Sequence, residues 1–298
     1  RGGSGDRPDP GAESRRGERD AGFPDPPALP RASAARGRAI QSAMNDTQSP
    51  GFADGTFVII GGAGGIGSEI GRGIVARGGS LVLTSRDASR AEQTAGELGA
   101  DDHAALDATD FQAVHELLKR LAGEGHRLLG VVNCAGSILV KPAHMTSAEE
   151  VRETFETNVM TAFATVAAAG KVMKDGGSVL LFGTAAAEAG IPNHEAIAAA
   201  KAGVAGLARS AAATYAARNL RVNVIAPGLV DTPLADRITG NERALEASRK
   251  MHALERIGTP ADIAPVALAL LDPASSWITG QTICIDGGLA GVKGRVSG

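Results

Sequence analysis

The segment TFVIIGGAGGIGSEIGRGIV, residues 56–75, joins an apolar run to a glycine-rich turn and then to a helical pattern. Isoleucines recur every four residues along that pattern, which indicates a helix with one apolar face. Glycines in the turn permit a tight reversal, a close approach of backbone N–H groups to a pyrophosphate, and close packing of helix on strand. The positive end of the helix favours the same anion. We therefore predict a dinucleotide site with contacts from Gly61, Gly65, Ile66 and Gly67.

After residue 50, short apolar runs alternate with longer helical patterns. This alternation is typical of a parallel sheet with helices on both faces. We predict one α/β domain over residues 51–298, a Rossmann-type doubly wound fold with a mainly parallel, seven-stranded sheet flanked by helices. Such strands are buried on both faces and need not alternate polar and apolar residues. The predicted strands span 57–60, 81–84, 104–106, 128–132, 178–182, 222–225 and 282–285.

The first 50 residues differ in composition from the rest, holding half of the 14 prolines and few large apolar side chains. Such a segment buries too little apolar surface to offset the entropy lost on ordering. We expect residues 1–50 to be a disordered extension and hypothesise that Met44 is the natural start; a regulatory tail is the alternative. Scattered acids and the lack of an apolar core argue against a signal or transit peptide.

Composition excludes several classes of function. The chain has 43% hydrophobic and 21% charged residues, as globular proteins do, and its net charge of −3 lacks the basic surplus that nucleic-acid or anionic-membrane binding requires. No stretch approaches the roughly 20 apolar residues of a membrane span. Cys134 and Cys284 show no metal-ligand spacing. We expect a cytoplasmic protein with no metal and with neither a nucleic-acid nor a membrane partner.

The second apolar run, SLVLTSRD, indicates which dinucleotide binds. NAD-binding proteins usually place an acid at the end of this strand, where it accepts hydrogen bonds from the ribose hydroxyls. Here Ser85 and Arg86 stand at that end, and a guanidinium can pair with a 2′-phosphate while a hydroxyl donates to it. We predict NADP(H) as the preferred cofactor. Asp87 keeps NAD(H) open as the alternative, because a shift of two residues would bring it toward the ribose.

Further motifs follow in order: LDATD (106–110), NCAG (133–136), FETNVM (155–160), VNVIAPGLVDT (222–232), GTPADIA (258–264) and ITGQTICIDGG (278–288). Together with the glycine turn, they resemble the short-chain dehydrogenase/reductase family over residues 51–290. The resemblance implies an oxidoreductase that acts on a small molecule. Besides the residues named above, it implies cofactor contacts from Asp107, Ala108, Asn133, Ala135, Gly136, Lys201, Pro227, Gly228, Val230 and Thr232.

The catalytic set of that family is Asn, Ser, Tyr and Lys, with the tyrosine four residues before the lysine on one helix. The resemblance matches Lys201 to the lysine, Asn158 to the asparagine, and Thr184, which keeps a hydroxyl, to the serine. The tyrosine position holds Ile197, which cannot protonate the alkoxide formed when a hydride reduces a carbonyl. The single tyrosine, Tyr215, matches a packing position of the family. The chain therefore resembles an atypical member without the catalytic tyrosine.

Several explanations of this loss stay open. His194, one helical turn before Ile197, is a candidate proton donor, although the same residues also fit a plain helix start capped by Asn193. Lys201 itself is a second candidate. A third possibility is hydride transfer to an activated alkene or iminium, whose product is not an alkoxide. We predict an atypical NADP(H)-dependent oxidoreductase with a small or medium apolar substrate; the alternative is a non-catalytic NADP(H)-binding protein, a sensor or partner subunit.

The resemblance also concerns two surfaces. Residues 231–257 occupy the place where the family folds a mobile lid over the substrate, and their mixture of apolar and basic residues suits either a lid or a surface helix pair. The alanine-rich helix at 196–217 and the helix of Asn158 build the dimer face in the family. We therefore expect a homodimer or homotetramer.

Overall fold

A computed structural model describes residues 2–3 and 51–292 of the chain. The predictions that residues 1–50 are disordered and that Met44 is the natural start lie outside the described residues, apart from Gly2 and Gly3. The same holds for the last six residues of the predicted domain, 293–298.

The strands of the described residues are β1 (Thr56–Ile60), β2 (Ser80–Ser85), β3 (Asp102–Ala105), β4 (Leu128–Asn133), β5 (Gly177–Phe182), β6 (Leu220–Pro227) and β7 (Thr282–Ile285). They form one sheet in the order β3-β2-β1-β4-β5-β6-β7, and each neighbouring pair is parallel. The predicted fold class is confirmed, with every strand within two residues of its predicted bounds. From β1, the strand order runs in one direction to β2 and β3 and in the other direction to β4. Open α/β sheets bind ligands at such a switch point, beyond the carboxyl ends of the strands.

Helices cover both faces of the sheet. They are α1 (Gly65–Val75), α2 (Ala88–Leu98), α3 (Phe111–Gly123), α4 (Ala148–Phe155), α5 (Thr161–Val172), α6 (Ala185–Ala189), α7 (Glu195–Tyr215), α8 (Asp236–Thr239), α9 (Glu242–Met251) and α10 (Pro260–Leu271). One buried cluster joins α3, α5 and α7 to the sheet, and the other joins α1, α2 and α10 to it. Within the described residues, no helix has both the length and the apolar composition of a membrane span.

Local sequence explains where these helices lie. The isoleucines Ile70 and Ile74 of α1 are fully buried, as the four-residue spacing predicts, and they cover the sheet. The Asp87 and Asp110 carboxylates accept hydrogen bonds from the first amides of α2 and α3. Each cap begins a helix within a few residues of a strand's carboxyl end, so the loops at that edge are short.

Candidate functional site

The glycine turn after β1 lies against two distant segments at the carboxyl edge of the sheet. Gly61 has a φ of 76°, and a Cβ there would lie 2.9 Å from the Ala135 backbone nitrogen. A Cβ on Gly65 would lie 2.8 Å from Thr232 Cγ2, and one on Gly67 would lie 2.9 Å from the Gly61 carbonyl oxygen. These spaces admit no side chain. The fold thus brings together predicted cofactor contacts from three separate motifs.

Helix α1 begins directly after this turn, with Gly64 as its N-cap. The glycine has no side chain to cap the first amides, and Ser68 N–H donates to the Gly64 carbonyl at 2.8 Å. The N–H groups of Gly65, Ile66 and Gly67 precede that bond, so they point beyond the end of the helix. Adjacent amides at the positive end of a helix fit a phosphate group. The donor set at the turn therefore suits the pyrophosphate of a dinucleotide.

The end of β2 presents a hydroxyl and a cation. Ser85 is half-buried and Arg86 is exposed. The Asp87 carboxylate accepts hydrogen bonds from the backbone amides of Ser89 and Arg90 and from the Ser89 hydroxyl, and the hydroxyl bond is the main cause that lowers the pKa of Asp87. This acid is engaged in capping α2. Ser85 and Arg86 thus stand at the predicted end of β2, where the Ser85 hydroxyl accepts from the Asp87 amide at 3.3 Å.

Asp107 and Ala108 follow β3, beside the end of β2. The Asp107 carboxylate accepts from the Thr109 amide at 2.9 Å and from the Thr109 hydroxyl at 2.8 Å. These bonds, together with nearby Arg86, lower the pKa of Asp107. Ala108 is buried. Both residues therefore lie at the predicted edge, with the Asp107 carboxylate closing its own turn.

The NCAG segment continues β4 toward the glycine turn. Asn133 is buried, and its Oδ1 accepts from the Ala135 amide at 2.9 Å. Cys134 N–H donates to the Ile60 carbonyl at 2.8 Å, and burial raises the pKa of the Cys134 thiol to about 12, so that it stays neutral. The described residues hold no cluster of His, Cys, Asp and Glu that could bind a metal ion. The segment thus acts through its backbone and the Asn133 amide.

Lys201, Gly136 and Asn158 lie together beyond the ends of β4 and β5. Lys201 is 8% exposed, and its ammonium donates to the Phe182 carbonyl at 2.9 Å. Burial lowers the pKa of Lys201 to about 8. A Cβ on Gly136 would lie 3.3 Å from Lys201 Nζ and 3.0 Å from Asn158 Oδ1. Gly136 therefore lies between the predicted lysine and the predicted asparagine.

Asn158 is buried in a π-helical turn, Glu156–Met160, between α4 and α5. Its Oδ1 accepts from the Ser137 amide at 3.1 Å, and its Nδ2 donates to the Ser137 hydroxyl at 2.9 Å and to the Thr154 carbonyl at 2.8 Å. Single π turns inside helices are frequent at functional sites. Ser137 was not among the predicted site residues, although its position directly after NCAG could have indicated it.

Ile197 stands one helical turn before Lys201 on α7 and is 4% exposed. Its hydrocarbon side chain has no proton to donate. Thr184 is the N-cap of α6, and its hydroxyl accepts from the Ala186 amide at 3.3 Å. The Thr184 oxygen thus has one lone pair engaged, while the hydroxyl hydrogen remains available to a substrate oxygen.

His194 lies at the start of the helix that carries Ile197 and Lys201. It is the N-cap of α7, and its Nδ1 lies 2.8 Å from the Pro192 carbonyl oxygen, so the ring hydrogen-bonds to its own loop. The expectation that Asn193 caps the helix is wrong, because Asn193 adopts a left-handed φ of 65° one residue earlier. That turn shifts the helix start by one residue. The role of His194 as a proton donor stays a prediction.

Tyr215 ends α7, fourteen residues after Lys201 and therefore about 21 Å along the helix. A Cβ on Gly170 would lie 2.5 Å from the Tyr215 hydroxyl oxygen, and the Arg218 guanidinium lies 4.8 Å from the ring centre. The phenol thus packs between helices, as the sequence indicates. It does not reach the site around Lys201.

The loop after β6 lies between the glycine turn and the 231–257 segment. Pro227 ends the strand, and Val230 forms a bridge with Gly258. Thr232 contacts the glycine turn as described above, while Gly228 packs against a buried histidine of the 231–257 segment. The structure therefore places Thr232 beside the turn and Gly228 next to the predicted lid.

Comparison with known proteins gives consistent matches. A family model described as enoyl-(acyl carrier protein) reductase matches residues 61–290. The chain is 33% identical over 228 residues to the inactive 2-(S)-hydroxypropyl-CoM dehydrogenase 2 of Xanthobacter autotrophicus, spanning 74% of this chain and 99% of that protein. A short-chain type dehydrogenase/reductase from Mycobacterium ulcerans has a TM-score of 0.78 at 30% identity, over 82% of this chain and 93% of that one. ElxO with NADP bound has a TM-score of 0.73 at 26% identity, over 79% and 98%.

Proposed function

Because the chain belongs to the short-chain dehydrogenase/reductase family, we propose that it is an NADP(H)-dependent reductase of activated alkenes or iminium groups on a small or medium apolar molecule. The observation that carries this proposal is the pairing of an intact cofactor edge with a hydrocarbon, Ile197, one turn before Lys201. The family model's description, an enoyl reductase, names alkene reduction. A sensor without turnover is not favoured, since Asn158, Thr184 and Lys201 are all retained.

NADP(H) is preferred over NAD(H) for an electrostatic reason. The salt bridges of the described residues do not include Arg86, and the nearby acids Asp87 and Asp107 accept hydrogen bonds within their own turns. An exposed guanidinium beside the Ser85 hydroxyl suits a 2′-phosphate, which can accept from both. The similar ElxO is a protein solved with NADP bound.

When bound, NADPH supplies a hydride, and the residues of this chain handle the charge that develops on the substrate. Addition of the hydride to the β-carbon of an enone leaves an enolate oxygen, which becomes neutral when the α-carbon takes a proton from water. Lys201, whose pKa is about 8, stays mostly charged at neutral pH and favours that anion. The Ser137 hydroxyl accepts from Asn158 Nδ2 and keeps its own hydrogen for the substrate oxygen. Neither role requires a phenol.

A labelled reduction tests the proposal. We would incubate the full chain with NADPH carrying deuterium at C4 and a panel of matched ketones, imines and enones, then analyse products by mass spectrometry. The expected result is deuterium on the β-carbon of the enone product or on the former iminium carbon, with ketones nearly unchanged. Tight NADPH binding with no labelled product from any member of the panel would overturn the reductase in favour of a binding protein.

We also propose that the protein is a homodimer or homotetramer. Four large apolar side chains on neighbouring helices are between 36% and 48% exposed, namely Phe111, Phe155, Met160 and Phe163. The Phe111 and Phe163 rings are 6.0 Å apart. A contiguous exposed apolar patch is typical of a surface that a partner covers. Sedimentation velocity of the parent and of Phe163→Glu tests this, with dissociation expected for the variant.

A further inference from the structure

His252, directly after α9, is 2% exposed, and both of its ring nitrogens lie in hydrogen bonds. Nδ1 lies 2.6 Å from the Ser248 carbonyl oxygen, and the Leu229 backbone N–H donates to Nε2 at 3.3 Å. A carbonyl can only accept and an amide N–H can only donate. The partners therefore define a neutral ring with its hydrogen on Nδ1 and a lone pair on Nε2.

These two bonds connect different parts of the site. Ser248 belongs to α9 in the predicted lid, whereas Leu229 lies in the loop after β6, between Gly228 and Val230. The ring fills the space beside Gly228 so closely that a Cβ there would lie 2.6 Å from Nε2. The same loop continues to Thr232, which contacts the glycine turn. The imidazole thus bonds to both the lid helix and this loop, beside the backbone hydrogen bonds that Gly258 makes with Leu229 and Asp231.

A cavity of about 140 Å³ borders the ring, lined in part by His252, Leu229 and Gly228. It has room for several water molecules. The charged side chains around it are Arg256 and Asp262, which pair with each other, and Asp286, which accepts from the Gly288 and Ala290 amides.

The carboxylates of this wall are thus already engaged. The basic side chains that precede the histidine on α9, Arg249 and Lys250, lie 3.9 Å and 3.3 Å from Glu246. A proton added to the ring would therefore meet no unengaged carboxylate in the cavity wall.

We propose that His252 is a positioning residue that holds the Leu229 end of the 228–232 loop through the neutral ring, and that protonation of Nε2 releases the Leu229 amide from the lid. A hydrogen on Nε2 removes the lone pair that Leu229 N–H needs, so two N–H groups would face each other, and they can separate because the cavity lies beside them. The link to cofactor affinity rests on the proposed function, whereas the loop release does not.

Hydrogen exchange of the full chain without cofactor tests the release directly. Protection of the Leu229 amide, corrected for intrinsic exchange, would be compared at pH 7.5 and pH 5.5. We expect about a tenfold loss of protection at pH 5.5 in the parent, the scale of one lost hydrogen bond. His252→Gln, which offers a donor and an acceptor that do not titrate, should keep equal protection at both values. The exposed His103→Gln serves as the matched control and should follow the parent.

A second variant and a second measurement distinguish loss of the hydrogen bond from misfolding of a variant. His252→Leu should lose the protection at both pH values, and the dissociation constant for NADP⁺ should rise at pH 5.5 more in the parent than in His252→Gln. Equal, pH-independent protection of Leu229 in the parent overturns the inference. Absence of NADP⁺ binding at pH 7.5 overturns the proposed function instead, because the exchange result does not depend on cofactor.

Discussion

The two ends of the proposed site differ in the groups that form them. The nucleotide end consists of the 61–67 turn with the ends of β2 and β3, and it uses glycines and backbone amides. The reduction end consists of Gly136, Asn158, Ile197 and Lys201, and three of these act through side chains. A site formed by backbone N–H groups keeps its binding ability while its glycines are kept. A site formed by side chains changes its chemistry when one of them is substituted. The comparison teaches that binding and reaction can diverge within one fold.

The largest effect should come from closing the nucleotide end. Gly61→Ala places a Cβ 2.9 Å from the Ala135 nitrogen at a φ of 76°, where a side chain is strained whatever the space. We expect NADPH affinity to fall by about 100-fold or more, since strain and displacement of the turn together cost on the order of 3 kcal/mol. Calorimetric titration measures this. Gly206→Ala, where nothing lies within 4 Å, is the control and should bind as the parent does.

Removing the cation of the nucleotide end should have the next effect. Arg86→Ala should weaken NADPH binding by roughly 10- to 100-fold, because charge-assisted hydrogen bonds contribute about 1.5–3 kcal/mol each. NADH binding should change little, since it lacks the 2′-phosphate. Fluorescence titration of both cofactors gives the ratio. An equal loss for both would contradict the assignment of Arg86 to that phosphate, and Arg72→Ala, elsewhere on the surface, controls for net charge.

At the reduction end, a rise in pH should have a smaller effect on turnover, through the charge of Lys201. Its pKa is lowered to about 8, so the ammonium is lost as pH rises through that value and persists below it. We expect turnover to fall by about tenfold between pH 7 and pH 9, in line with loss of the charged form. Lys201→Arg, which stays charged across this range, should lose activity at every pH but give a flat profile. A parent profile that stays flat to pH 9 would contradict this role.

The smallest effect should come from the one phenol of the chain. Tyr215→Phe removes a hydroxyl that packs against Gly170, far from Lys201. Turnover should stay within about twofold, because the hydroxyl touches neither the cofactor edge nor the Lys201 group. Steady-state kinetics checks this. A tenfold or larger loss would show that the reduction end extends further than the structure places it.

The two ends also differ in how far sequence predicted them. Apolar runs predicted the strands and glycine spacing predicted the turn, because both depend on residues close together in the chain. The bonds from Ser137 to Asn158 and from Leu229 to His252 join residues 21 and 23 positions apart, and no local pattern encodes them. The N-cap of α7 was mispredicted for a local reason, the left-handed conformation of Asn193, which an asparagine adopts more easily than most residues.

The most direct test restores the phenol. We would measure kcat/KM with NADPH for a matched ketone and enone in the parent, Ile197→Tyr and Ile197→Phe. The account predicts that the tyrosine raises ketone reduction by roughly 10²-fold or more, as a positioned acid does, while phenylalanine does not. The parent should prefer the enone. Ketone reduction in the parent equal to that of Ile197→Tyr would contradict the claim that the reduction end works without a proton donor at residue 197.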